Sequence, residues 1–145
     1  MSYLADSNIL ARLTQKASQH HPIARNAIIS LREQREKICI FPQNLIEFWT
    51  VATRPAINNG LGLTVAETQF EIRKFKRLFT FYDDEPHIFA EWENLVSKYQ
   101  VLGKNVHDAR LVAAMIQHQV THLLTFNVKD FKRFSEITVV EPQSL

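Results

Sequence analysis

Short apolar runs alternate with helical stretches along the whole chain. Five runs predict strands, and they cover residues 3–6, 37–41, 79–82, 122–125 and 137–140. Between them, apolar positions recur at helical spacing and predict helices over residues 8–19, 23–37, 43–54, 65–78, 87–99 and 106–119. Strands that alternate with helices indicate parallel pairing with right-handed crossovers. The pattern therefore predicts a three-layer α/β/α domain, residues 1–145, around a parallel sheet of four to five strands.

Local signals mark where several of these helices begin. Ser7 or Asn8 is expected to cap the first helix. Pro42 suits the first turn of the third helix, where its missing N–H costs no hydrogen bond. Thr64, with Glu67 three residues later, has the pattern of a capping box ahead of the fourth helix.

The composition is that of an ordinary globular protein, with 46% apolar and 22% charged residues in 145. The net charge of +2 is too small to indicate nucleic-acid binding by itself. The N-terminus lacks the pattern of a signal peptide, and the longest apolar run, residues 111–116, is too short to span a membrane. We therefore expect a cytoplasmic protein without a membrane segment.

Glu47 is an acid in an otherwise apolar helix. Leu45, Phe48 and Ala52 form one stripe of that helix, and Ile46 covers much of the rest, which predicts a helix buried nearly all round. No basic residue lies three or four positions from Glu47. Burying an unpaired carboxylate costs several kcal/mol. Three interpretations are open for this residue: a buried salt bridge to a distant Arg or Lys, a polar edge of a helix that is less buried than its pattern indicates, and a functional role.

Other polar residues fall at matching positions of the predicted fold. Asp6 and Asn127 follow strands, whereas Glu47 and Asp108 lie in the first turns of helices. Each alone could be a cap or an acid that favours a helix N-terminus. Together they share one edge of a parallel sheet, where carboxylates without basic neighbours would repel each other unless a cation lay between them. Oxygen ligands of this kind suit Mg²⁺ or Mn²⁺.

Four stretches of the sequence together resemble the PIN domain family, and they look most like its VapC-type toxins. They are LADSNIL at residues 4–10, NLIEF at 44–48, VHDARLVA at 106–113 and LTFNVKDF at 124–131. The resemblance runs from residue 3 to about residue 140. It implies an α/β/α fold, a metal-dependent ribonuclease acting on RNA, a homodimer, and a cognate antitoxin that holds the toxin inactive.

The resemblance also implies roles for particular residues. Asp6, Glu47 and Asp108 match the three central acids of the family and would be catalytic metal ligands. The family's fourth acid usually follows the last strand of the site. Here Asn127 holds that position and Asp130 lies three residues on, so either could complete a Mg²⁺ or Mn²⁺ site.

Further residues are assigned to support and substrate binding. Asn8 and Thr125 are plausible hydrogen-bond donors to the metal ligands. The cations expected to hold RNA phosphates are Arg54, Lys129, Lys132 and Arg133. The implied reaction is phosphodiester hydrolysis, in which a bound cation lowers the pKa of a water and stabilises the leaving oxygen.

Two other functions stay open at this point. A PIN-like domain that has lost catalysis through the uncharged Asn127 could act only as a module that binds another protein. A phosphoryl-transfer domain with Asp6 as nucleophile is a weaker alternative, of the receiver or haloacid-dehalogenase type. The latter type expects an acid where Asn8 stands, and Glu47 would have no role in a receiver.

Overall fold

A computed structural model describes all 145 residues and contains a five-stranded sheet. The strands are β1 (Ser2–Ala5), β2 (Lys37–Ile40), β3 (Thr80–Phe81), β4 (His122–Leu124) and β5 (Thr138–Val140). Their spatial order is β3-β2-β1-β4-β5, and every neighbouring pair is parallel. The prediction of an α/β fold around a parallel sheet is confirmed, with five strands.

Helices cover both faces of this sheet. They are α1 (Ser7–Thr14), α2 (His21–Glu33), α3 (Pro42–Thr53), α4 (Val65–Leu78), α5 (Ile88–Lys98), α6 (Asn105–Gln117) and α7 (Val128–Phe131). Two single 3₁₀ turns lie at Ala56–Asn58 and Pro142–Ser144. One apolar core joins the sheet to α1, α2, α3 and α4, and a second core joins it to α5, α6 and α7. None of the helices is both long and apolar enough to cross a lipid bilayer.

Both faces of the sheet are buried. Tyr3 and Ala5 of β1 point into the first core, whereas Leu4 between them points into the second, beside Cys39 and Leu123. A sheet covered on both sides needs apolar residues at every position, and this explains why the sequence shows continuous apolar runs rather than alternation.

The first two helices differ in their limits from the sequence prediction. α1 ends at Thr14 rather than near residue 19, because the chain turns at Gln15 and the His21 ring takes over the Arg12 carbonyl at 2.9 Å. α2 begins at His21, with Pro22 accommodated in its first turn. It ends at Glu33, two residues before Arg35 adopts the left-handed φ of 60°.

The capping predictions had mixed outcomes. Thr64 does cap α4, and the box is reciprocal: Thr64 Oγ1 accepts from the Glu67 amide at 3.1 Å, and Glu67 Oε1 accepts from the Thr64 amide at 2.9 Å. The assignment of Ser7 or Asn8 as the cap of α1 was wrong. Asp6 is the cap, and its carboxylate accepts a hydrogen bond from the Ser7 amide at 2.8 Å.

The connections bring several helix N-termini to one edge of the sheet. α1, α3 and α7 each follow a strand, and α6 runs back into β4, so all four begin at the carboxyl ends of the strands. The chain winds outward from β1 to β3 on one side and continues through β4 and β5 on the other. β1 and β4 therefore flank a topological switch point, where open parallel sheets form their ligand crevice.

Candidate active site

Asp6 lies at this switch point, directly after β1. Its backbone amide continues the sheet by donating to the Leu124 carbonyl at 3.1 Å, so the residue is fixed between β1 and β4. Its side chain is only 5% exposed. Burial raises the pKa of the Asp6 carboxyl, against the opposing effect of hydrogen bonds from Thr125 and Ser7, and the nearby Asp130 raises it further.

Asn8 and Thr125 surround the Asp6 carboxylate with hydrogen bonds. The Thr125 hydroxyl donates to Asp6 Oδ2 at 2.7 Å, and Asn8 Nδ2 lies 3.4 Å from the same oxygen. Asn8 Nδ2 also donates to Thr125 Oγ1 at 3.0 Å, and its Oδ1 accepts from the Phe126 amide at 3.2 Å. Two residues predicted to support the site thus link the ends of β1 and β4 around one carboxylate.

A cavity of about 560 Å³ opens at the same edge. Three acids that the sequence singled out line it: Glu47, Asp108 and Asp130. Asp6 is too deeply buried to line this cavity, but it lies close enough to raise the pKa values of both Glu47 and Asp108. The acids of three separated stretches are therefore brought together around one concavity.

The pKa of Glu47 is raised to about 7. Burial is the main cause, followed by the negative charges of Asp6 and Asp108, and a hydrogen bond with Gln43 opposes them. These causes show that no basic residue compensates Glu47, which excludes the buried salt bridge left open by the sequence. A carboxyl with this pKa is partly protonated at neutral pH.

The pKa of Asp108 is raised to about 6. Burial again contributes most, and the charges of Asp130 and Asp6 add to it. His107 and Arg133 act in the opposite direction without cancelling the shift. Asp108 lies in the first turn of α6, where the helix dipole would by itself favour the ionised form. The repulsion among the acids and their partial burial outweigh that preference.

The surroundings of Glu47 differ from the sequence prediction. We expected α3 to be buried nearly all round, but Ile46 is 67% exposed and Thr50 is exposed as well. Ile46 lines the cavity beside Glu47, which is half-buried. The prediction was wrong because an apolar residue next to an open cavity has the same sequence signature as one in a core. The Glu47 side chain lines that cavity and does not belong to either core.

Sequence reasoning missed a polar cluster on the cavity wall. Arg110 lies 3.4 Å from an Asp84 carboxylate oxygen and donates to Gln43 Oε1 at 3.2 Å, and Gln43 Nε2 donates to the His107 carbonyl at 2.7 Å. Lys104 lines the cavity too, so the edge is not free of basic residues as the sequence suggested. Asp84 follows β3, and the rule that singled out Asp6 and Asn127 could have found it.

The structure separates the two candidates for the fourth oxygen ligand. Asp130 lines the cavity with Glu47 and Asp108. Asn127 is exposed and lines a neighbouring cleft instead, together with Ser7 and Asn8. Asn127 precedes α7 with a non-helical backbone, at φ −97° and ψ 56°, whereas Asp130 lies within the helix.

The four cations assigned to RNA binding lie in two places. Lys129, Lys132 and Arg133 are exposed in or just after α7, near Asp130, although none of them lines the cavity. Arg54 lies at the C-terminal end of α3, about 10 Å along the helix axis from Glu47 at 1.5 Å per residue. Their binding role stays a prediction.

The donor set around the cavity has the chemistry of a site for a hard divalent cation. The cavity is lined by several carboxylates, whose oxygens are the ligands that such cations prefer, and no cysteine lines it. As the side chains stand, no group of three or more His, Cys, Asp and Glu residues converges closely enough to hold a metal ion. The acids are close enough to raise each other's pKa values, but as they stand no three of them are close enough to bind one ion.

Comparison with solved structures identifies the fold. No protein-family model matches the sequence, and no curated protein matches it. VapBC2 from Rickettsia felis, crystallised with a DNA fragment from its promoter, aligns with a TM-score of 0.73 at 18% identity over 97% of this chain and 98% of that chain. DNA-bound VapBC from Salmonella typhimurium aligns with a TM-score of 0.71 at 13% identity over 98% of both chains.

A third similar structure is VapC20 from Mycobacterium tuberculosis, described as a sarcin-ricin loop cleaving toxin. It aligns with a TM-score of 0.60 at 18% identity over 93% of this chain and 98% of that chain. Over nearly its whole length, the chain therefore has the α/β fold of the VapC-type PIN domains. The fold prediction made from the four stretches of sequence is confirmed.

Proposed function

We propose that the protein is a Mg²⁺- or Mn²⁺-dependent endoribonuclease that acts as the toxin of a toxin–antitoxin pair. The observation that carries the proposal is the group of acids at the β1/β4 switch point, where Glu47, Asp108 and Asp130 line one cavity. Burial, and next to it the negative charges of the neighbouring acids, raise the pKa values of Glu47 and Asp108 to about 7 and about 6. A divalent cation relieves such repulsion, and carboxylate oxygens are its preferred ligands. The similarity in fold to a sarcin-ricin loop cleaving toxin supports RNA as the substrate.

In this proposal each acid has a distinct task. Asp6, held by Thr125, Ser7 and Asn8, is the fixed ligand, whereas Glu47 and Asp108 are half-buried and face the open cavity. We expect the side chains of the latter two to adjust on binding, since no three acids converge as they stand. The bound cation would supply a water of lowered pKa and charge stabilisation for the leaving oxygen of the phosphodiester.

The first prediction concerns these acids directly. Asp6→Asn and Asp108→Asn should each reduce RNA cleavage by roughly 100-fold or more, because each removes charge from the site that stabilises the transition state. The measurement is cleavage of ribosomal and transfer RNA in Mn²⁺, with Glu33→Gln, an exposed acid at the end of α2, as the matched control. EDTA should abolish wild-type cleavage, and added Mn²⁺ should restore it. Undiminished cleavage by both variants, with EDTA harmless, would reject the proposal.

The toxin role requires a partner, and the fold supports one. Several structures with this fold are complexes with antitoxins, including FitAB bound to DNA. We infer a cognate antitoxin and a homodimeric toxin for this chain also. A small reading frame directly upstream that relieves the growth arrest caused by induced expression would support this inference. Sedimentation velocity of the purified protein tests the dimer.

A catalytically decayed module remains the competing function. Asn127 brings no charge to the site, and that is the feature that favours this alternative. If the site has decayed, millimolar Mn²⁺ should not raise the melting temperature of the protein. If the site binds the metal, the melting temperature should rise as the Mn²⁺ concentration exceeds the Kd. Asp6→Asn is the matched control, because it should lose the gain.

A further inference from the structure

A second pocket of about 360 Å³ adjoins the acidic cavity. Its apolar wall consists of Pro86, Ile88, Phe89, Trp92 and Val106. Its polar lining includes His107 and Arg110, and both of these residues also line the acidic cavity. The two concavities therefore share one wall, and a flexible chain could pass from one to the other without leaving the surface.

Two aromatic rings line this pocket, those of Phe89 and Trp92. Trp92 is held in place because its indole N–H donates to the Val106 carbonyl at 2.8 Å. Phe89 packs against it with ring centroids 5.4 Å apart, yet 64% of Phe89 is exposed to solvent. Folding buries large aromatic residues where it can, so an exposed ring held against a fixed indole is a surface suited to stacking with a flat ligand.

The shared wall carries positive charge. Arg110 is oriented by Asp84 and Gln43, so its guanidinium is held in position between the two concavities. Asp84 and Gln43 engage one N–H direction of each terminal nitrogen, and the remaining N–H groups can donate to a backbone phosphate. Lys104 adds a second cation on the side of the acidic cavity.

We propose that the aromatic pocket binds one unstacked base of the RNA substrate, from a nucleotide beside the phosphate that lies at the acids. This inference rests on the proposed function. Single-stranded nucleic acids are held by this combination of aromatic faces for the bases and cations for the backbone. Phe89 and Trp92 are then binding residues for the base, and Arg110 is a binding residue for the phosphate between the two subsites.

Base binding explains the mixed lining better than a contact with a second copy of the chain. Three of the eight lining residues, Glu85, His107 and Arg110, are charged or polar, whereas the cores of homodimer interfaces are depleted in charge. The direct continuity with the acidic cavity also favours a ligand that reaches both concavities at once.

The test uses the intrinsic fluorescence of Trp92. In a Trp49→Phe and Asp108→Asn background, Trp92 is the only tryptophan and cleavage is blocked. Single-stranded RNA decamers should quench its fluorescence, and Phe89→Ala should weaken binding by roughly 5- to 100-fold, the range expected for loss of one stacked base. Phe89→Trp, assayed by fluorescence anisotropy of a labelled decamer, should retain most of the affinity because it keeps an aromatic face.

Phe70→Ala is the matched control, since Phe70 is an exposed phenylalanine on α4 that lines neither concavity. If wild type cleaves RNA and Phe89→Ala binds and cleaves it as well as Phe70→Ala does, the base pocket is rejected while the proposed function stands. If wild type cleaves no RNA, the proposed function fails and the pocket with it. A change of oligomeric state in Phe89→Ala with unchanged RNA binding assigns this surface to a second copy and also rejects the inference.

Discussion

Asp6 has two tasks that usually belong to different residues. Its carboxylate caps α1 through the Ser7 amide, and it also forms the negative centre next to Glu47 and Asp108. The cap keeps one oxygen in place, and the Thr125 hydroxyl holds the other at 2.7 Å. In the proposed metal site, a carboxylate held in this way would need little reorganisation when a cation binds.

The hydroxyl of Thr125 is the residue-scale feature that we expect to matter most for stability. Thr125→Val keeps the shape but removes a donor to Asp6 and an acceptor for Asn8 and the Asn127 amide. The free energy of unfolding should fall by about 1–3 kcal/mol, because buried polar partners are left unsatisfied. Urea denaturation at pH 7 measures this change.

The control for that substitution is Thr53→Val. Thr53 is half-buried, and its hydroxyl donates only to the Trp49 carbonyl of its own helix, at 2.9 Å. The Trp49 carbonyl lies within an α-helix and loses little when this extra bond is removed, so the change should be small. Equal losses in the two variants would mean that the hydrogen bonds around Asp6 contribute no special stability.

At the scale of elements, the short helix α7 decides which side chains reach the site. Its sequence, VKDF, has neither the length nor the periodicity that predicts a helix from sequence. Nevertheless its single turn brings Asp130 to the acidic cavity, places Asn127 beside another cleft, and buries Phe131 in the second core. Packing of Phe131 and the following Phe134 against α6 and β5 compensates for the weak intrinsic preference.

This arrangement predicts that Asp130, rather than Asn127, supplies the fourth oxygen to a bound cation. Asp130→Asn should weaken Mn²⁺ binding by roughly 10- to 100-fold, which is typical when a group close to a metal is removed. Asn127→Ala is the matched control from the same turn and should change the affinity much less. Calorimetric titration with Mn²⁺ gives both affinities, and the opposite ranking would assign the role to Asn127.

At the scale of the whole molecule, the fold gathers negative charge at one edge of the sheet. Asp6 and Asp84 follow strands, and Glu47, Asp108 and Asp130 lie in the first turns of helices that begin at this edge. The folded protein therefore keeps carboxylates close together that are far apart in the unfolded chain. The consequence is a dependence of stability on pH that opposes the usual trend for paired acids.

Without divalent cations, stability should decrease as the pH rises from about 4 to 7. The pKa values of Glu47 and Asp108 are about 7 and about 6 in the folded protein, against 4.5 and 3.8 for the unperturbed groups. Between these values the folded protein binds more protons than the unfolded chain, so the free energy of unfolding falls with rising pH. The total change should be on the order of 1–2 kcal/mol, because solvent screens these half-buried groups.

Urea denaturation in EDTA at several pH values, for wild type and Glu47→Gln, tests this prediction. His122, whose pKa is lowered mainly by burial, contributes the opposite slope in both proteins and cancels in their difference. That difference reports the ionisation of Glu47 together with its repulsion from Asp6 and Asp108. Glu47→Gln should lose much of the decline, whereas Glu33→Gln should follow wild type. Parallel curves for wild type and Glu47→Gln would show that Glu47 ionises without an electrostatic penalty.

Much of this molecule was predictable because its signals are local. Helix α4 begins and ends where the apolar spacing and the Thr64–Glu67 box predicted, and Pro42 opens α3 as expected. These features depend on side chains within one turn of each other, so neighbouring residues determine them. The four short stretches of sequence likewise predicted the class of fold and brought Asp6, Glu47 and Asp108 to attention.

Other features depended on residues distant in sequence, and only the tertiary structure decided them. Ile46 is exposed because the chain leaves a cavity beside α3, and α1 is shorter than predicted because His21 folds back onto it. The packing of α7 places Asp130 at the acidic cavity and Asn127 at the neighbouring cleft. The contacts of Arg110 with Gln43 and Asp84 join α6 to α3 and to the end of β3. The sequence by itself identified the candidate acids and predicted the parallel sheet at whose edge they lie. The tertiary structure decided which of them share a cavity, because distances between separate elements depend on packing rather than on spacing along the chain.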